Sequence, residues 1–117
     1  MSAHAGLTPK RTELYRCVDL ADDANVDDAI IYQSKLGSKN VFYEIRVNSL
    51  KDGRPVHYYK KVNLISKYQD RVQEFTTGNF RIRVDRVRNA TDGNFWAFAR
   101  IPSHEVHSVN WSCKDTN

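Results

Sequence analysis

Cations and aromatic rings alternate in two stretches of this chain, Tyr58-Tyr59-Lys60-Lys61 and the pair formed by Arg81-Ile82-Arg83 with Trp96-Ala97-Phe98-Ala99-Arg100. Guanidinium and ammonium groups neutralise phosphates, and exposed rings give unpaired bases a flat surface to stack on. The residue types therefore suit single-stranded nucleic acid, with Tyr59, Lys60, Lys61, Arg81, Arg83, Trp96 and Arg100 as candidates for contact with RNA or another partner. A plainer reading stands beside it, in which the rings close a small second core and the charges form a solvated rim. Both remain open at this point.

Other chemistries find little support. The two cysteines, Cys17 and Cys113, stand far apart, and the four histidines lack the short ligand pairs of zinc motifs, so no metal or cofactor is expected. No glycine-rich phosphate loop is present. His57 is the one histidine placed inside a strand; His4 lies in the N-terminal stretch, and His104 and His107 flank the last strand as surface residues. Asn89-Ala90-Thr91 and Asn110-Trp111-Ser112 match the N-glycosylation pattern, which arises often by chance. Cysteines at the two limits of one small domain read as a staple, the alternative being two separate buried thiols.

The elements that must position these groups come from a chain of 117 residues, 40% apolar and 27% charged, with net charge +4. That describes one globular domain, and the charge permits an anionic partner without requiring one. No apolar run reaches the ~20 residues of a membrane-spanning helix, so a soluble protein, taken as a monomer, is expected. Residues 1–12 read as a flexible arm and 13–117 as the domain. Apolar Val26, Ala29, Ile30 and Leu36 at helical spacing predict a helix from Val26 to Leu36, with Asn25 as N-cap, Asp27 and Asp28 in the first turn and Gly37 as C-cap. Beyond Lys39, period-two alternation predicts about five antiparallel strands, turned at Lys51-Asp52-Gly53 and Asp92-Gly93, with Val72 to Phe75 as a short extra strand in a long loop. The fold class is then α+β, one N-terminal helix packed on one face of the sheet and the other face open. With Phe80, Ile82 and Val84 turned to the helix, Arg81 and Arg83 point outward beside Trp96, Phe98 and Arg100.

With Tyr15-Arg16-Cys17 early, a helix, an antiparallel sheet and Cys113 near the end, residues 14–113 resemble the small secreted fungal guanyl-specific ribonucleases, and still more the RNase-like effectors of powdery mildew fungi. The resemblance implies a ribonuclease-like scaffold closed by a Cys17–Cys113 bridge. It also implies secretion after removal of a leader, then action in the cytoplasm of a plant host cell, on host RNA or on host proteins including an intracellular immune receptor. Cleavage in that family needs a carboxylate base, a histidine acid and an arginine on the phosphate. The family's catalytic glutamate follows a Tyr-Tyr pair, but Lys60 follows Tyr58-Tyr59 here, and the late histidine falls near Arg100; the arginine persists as Arg81 after Gly78-Asn79-Phe80. A non-catalytic relative that binds without cleaving is the expectation. Two alternatives are a ribonuclease with a rearranged site built from Glu44, His57 and Arg81, and an intracellular protein-binding inhibitor of the phage type, the latter motivated by Met1 and the missing leader.

Overall fold

Period-two alternation runs through almost all of the chain, and the computed structural model, which describes residues 10–20, 28–37, 40–51, 54–104 and 106–116, turns it into eight strands. These are β1 (Lys10–Asp19), β2 (Asp28–Leu36), β3 (Asn40–Lys51), β4 (Arg54–Lys67), β5 (Val72–Thr77), β6 (Phe80–Arg88), β7 (Phe95–Ile101) and β8 (Val106–Asp115). Each pairs antiparallel with the next, and β8 returns to pair with β1, so the sheet closes into a barrel. Closure removes the two free edges of an open sheet, although β4 is shared unevenly: its residues 54–62 pair with β3 only and residues 63–67 with β5.

The inward positions follow the alternation. Tyr15 and Cys17, Ala29 and Ile31, Ile45 and Val47, Val62, Phe75, Ile82 and Val84, Ala97 and Ala99, and Trp111 and Cys113 are all buried in one cluster. Tyr15 and Tyr43 meet the edge of Phe75 at 6.2 and 5.9 Å, and Tyr15 reaches Phe95 at 6.2 Å. These offset ring contacts add to the area buried. An eight-stranded barrel is just wide enough for side chains to fill, and here rings from opposite walls meet across it. The outward positions carry Arg16, Arg46, Lys61, Arg81, Arg83 and Arg100, the reverse of the apolar outer band of a membrane barrel.

The seam is short. Tyr15–Asp19 of β1 run against Trp111–Asp115 of β8, and the Cys17–Cys113 disulfide joins two directly opposed residues within it. Tight reversals join other strands: Gly78-Asn79 links β5 to β6 with Gly78 at φ 55°, and Asn89–Asn94 links β6 to β7 with Gly93 at φ 74°. Glycine enters this left-handed region without steric cost.

The predicted α+β fold, a helix on a sheet of about five strands, is overturned. Its helical segment is strand β2 from Asp28 onward, while Asn25, Val26 and Asp27 lie outside the described residues, as do residues 1–9 of the predicted arm and the Asp52-Gly53 turn. The helical spacing arose because β2 is covered on both faces. Ala29 and Ile31 face the core, and outward Ile30 is also buried, flanked by Arg16 on β1 and Arg46 on β3. Arginine stems cover apolar surface while their charges stay in water. Strand β1 begins at Lys10 and bulges between Glu13 and Tyr15, which brings Tyr15 and Cys17 to the inside. With β1 and β2 added to the six strands that follow, the sheet is long enough to close. The face predicted to pack on a helix lines the barrel instead.

Candidate nucleic-acid interface

The outer face of β5–β7 is built in rows across the strands. Arg81 lies directly opposite Arg100, and Arg100 directly opposite His107 of β8. The next row pairs Arg83 with Phe98, the guanidinium 6.0 Å from the ring centre. The third row runs Val72, Asp85, Trp96. Trp96, Phe98 and Arg100 therefore follow one another at about 6.8 Å, two residues of strand per step. The buried alternation of Phe95, Ala97, Ala99 and Ile101 leaves them no other side to face.

Like charges opposite one another in a sheet are destabilising, with side chains roughly 4.5–5.5 Å apart at Cβ. Among the described residues, no carboxylate forms an ion pair with Arg81 or Arg100. Other cations on this surface are paired: Arg83 with Asp85 at 3.3 Å, Lys67 with Glu74 at 3.4 Å. An unneutralised arginine pair with a histidine beside it is what an anion would complete.

The Tyr58–Lys61 block stands elsewhere, since β4 lies three strands round from β7. Tyr58, Tyr59 and Lys61 are engaged within the chain. Arg11 sits over the rings of Tyr59 and Tyr32, at 4.8 and 5.3 Å, and Lys61 lies 5.1 Å from the Phe42 ring centre. Tyr58 packs inward against the core and meets Ser103 at 3.1 Å. Lys60 occupies an inward register position opposite Ile45 yet remains exposed. The structure thus places Arg81, Arg83, Trp96 and Arg100 together and sets Tyr59, Lys60 and Lys61 apart from them.

Glu44, His57 and Arg81 do not converge. Glu44 is opposite Lys61 and His57 opposite Asn48, four residues apart along the sheet, and Arg81 is two strands beyond β4. Glu44 instead accepts from Arg11 at 3.1 Å and from the Ser34 hydroxyl at 3.3 Å. Among the described residues, no cluster of His, Cys, Asp and Glu could hold a metal.

A groove of about 530 Å³ adjoins the third row, lined by Tyr68, Arg71, Val72, Asp85, Val87 and Trp96. Tyr68, Val87 and Trp96 are large apolar side chains left 74%, 49% and 41% exposed. Tyr68, Arg71, Val87 and His107 were not among the candidates read from sequence. The turn holding Tyr68 and Arg71 contains neither glycine nor proline, and Asp70 is the one turn-favouring residue within it, a weak marker on its own. At this same end of the barrel, inside it, the Tyr15 hydroxyl donates to Gln73 at 2.5 Å. Burial pushes that hydroxyl above the ordinary tyrosine range; Arg86 opposes the rise, and Asp115 and Asp70 add to it.

Comparison with protein-family models, curated proteins and solved structures finds no match to this chain.

Proposed function

We propose that this protein is a binding module for single-stranded nucleic acid and that its contact surface is the outer face of β6 and β7. The observation that carries the reading is the row Arg81–Arg100–His107, two arginines and a histidine set side by side on three adjacent strands with no carboxylate pairing the arginines among the described residues. Phosphates would relieve that repulsion, and Phe98 and Trp96 in the neighbouring rows supply rings for bases. The fungal effector expectation took its scaffold from a helix and an open sheet, which the barrel replaces. What is carried forward from it is RNA binding, which the arginines and rings of the outer surface support.

Fluorescence anisotropy with a labelled eight-nucleotide single strand tests the proposal across a salt series. Three phosphate contacts, from Arg81, Arg83 and Arg100, give a slope of log affinity against log salt of about −2, and each arginine removed reduces it by about 0.7. Removing Arg81 or Arg100 relieves a like-charge pair, so Arg100→Gln should hold or raise the melting temperature while weakening binding. Binding with an unchanged slope in Arg81→Ala/Arg100→Ala would overturn the reading.

A further inference from the structure

The turn beside the groove is unusual in its backbone. Tyr68, Gln69 and Asp70 have φ of 53°, 57° and 65°, three consecutive left-handed residues and none of them glycine. Side-chain-bearing residues enter that region at a cost, singly as a rule and seldom in series. Strain of this kind persists where surrounding structure over-determines it, and it gathers at sites that bind. The turn is pinned at its base, where the Arg71 amide donates to the Tyr68 carbonyl at 3.1 Å and the Arg86 amide to the Arg71 carbonyl at 2.8 Å. The conformation holds a tyrosine ring, three-quarters exposed, in the lining of a groove that Trp96 also lines.

We infer that this groove is a subsite for one nucleobase, and specifically for a base bearing an exocyclic amine: cytosine, adenine or guanine in preference to uracil. The inference rests on the nucleic-acid reading above and extends it. The volume lies within the range of small-ligand sites, and Tyr68 and Trp96 offer ring faces for stacking. Asp85, opposite Trp96 in the register, supplies the discrimination. Arg83 Nε lies 3.3 Å from its Oδ1, and a carboxylate has about four lone-pair sites, so acceptors remain for an N–H donor in the groove. A carboxylate accepts from an amine and meets only carbonyl oxygen at the corresponding position of uracil, where acceptor faces acceptor. Arg71, exposed and part of the groove lining, would take a phosphate. Along β7, Trp96 at the groove is followed on the same face by Phe98 and then by Arg100 opposite Arg81, so one strand would occupy both.

The test uses the hexanucleotides rC6 and rU6, titrated into the wild type and into Trp96→Ala, Tyr68→Ala and Asp85→Ala, with circular dichroism to establish that each variant is folded. Trp96→Ala should weaken both ligands about tenfold, the loss of one stacked base, and Tyr68→Ala should weaken both in the same direction. The wild type should favour rC6 over rU6 about fivefold or more; Asp85→Ala should abolish that preference through loss of rC6 affinity. If both oligonucleotides bind in a manner dependent on Arg81 and Arg100 but are indifferent to Trp96, Tyr68 and Asp85, the subsite is refuted and the binding surface stands. If neither oligonucleotide binds at low salt, the nucleic-acid reading itself falls and the subsite with it.

Discussion

Breaking the Cys17–Cys113 bridge is the sharpest perturbation available, because it acts at the one place where the barrel is sealed. The bridged residues are 96 apart in sequence. In the chain-entropy model, a loop of that size restricts the unfolded chain by about 4.7 kcal/mol. Unfolding entropy for 117 residues is about 0.25 kcal/mol per kelvin, so the bridge is worth about 19 °C in melting temperature. Without it β1 and β8 still share the pairing of Tyr15–Asp19 with Trp111–Asp115, so the native fold remains attainable at a lower midpoint. Thermal and urea unfolding of the oxidised protein would be compared with protein refolded under reductant and with Cys17→Ala/Cys113→Ala. The two reduced forms should agree to within the small packing loss of the substitutions. Because the effect lies in the unfolded state, the urea m value should rise when the link is absent, as the freed chain exposes more surface. A shift below about 5 °C would refute the reasoning, and so would a full shift with an unchanged m value, which would place the cost in the folded barrel instead.

Two further outcomes follow from local geometry. Gln69→Gly should stabilise the protein by about 0.5–1 kcal/mol, or roughly 2–4 °C, because glycine relieves the left-handed strain while adding some unfolded-chain entropy; Gln69→Ala serves as the control and should give no gain in the same thermal scans. Tyr15→Phe should cost about 1 kcal/mol near neutrality through loss of the bond to Gln73. The wild type holds its Tyr15 proton more tightly folded than unfolded, so that group's contribution is fully present below pH ~10 and is lost as pH rises beyond it. Urea unfolding at pH 8 and pH 11 should therefore show the gap between wild type and variant narrowing at the higher pH.

Much of the strand content was legible because one face of each strand is buried and the other wet. Phe80, Ile82 and Val84 against Arg81 and Arg83, and Phe95 to Ile101 against Trp96 and Arg100, alternate cleanly, and the register then brings Arg81 and Arg100 face to face. Closure was hidden where that contrast fails. Both faces of β2 are covered at Ile30, Ile31 and Ser34, which erases the alternation and leaves a spacing that mimics a helix. The β-branched and aromatic run Ile30-Ile31-Tyr32 was the competing signal for a strand. The bulge after Glu13 shifts the phase of β1, so its apolar residues do not alternate as one series. β4 fails in the opposite sense: exposed on both faces over most of its length, it gives its aromatic and basic residues no burial pattern to show that Arg11 and Phe42 engage them. The groove was invisible for a different reason, since its left-handed turn lacks glycine, the residue that most plainly marks such a backbone, and Asp70 alone is a weak signal.

At the seam, Thr116 donates its amide to the Leu14 carbonyl at 3.2 Å and its hydroxyl to the Glu13 carbonyl at 2.8 Å. Every strand neighbours its successor, and the last neighbours the first, so the strand order is a ring and no hairpin is privileged as its beginning. A gene reopened at Gly78-Asn79, with the former ends joined by a flexible segment, would encode the same eight pairings in a new order. In that permuted chain the two cysteines would be close in sequence across the new joint. The barrel would keep its geometry, while the cross-link would enclose a short loop in place of nearly the whole molecule.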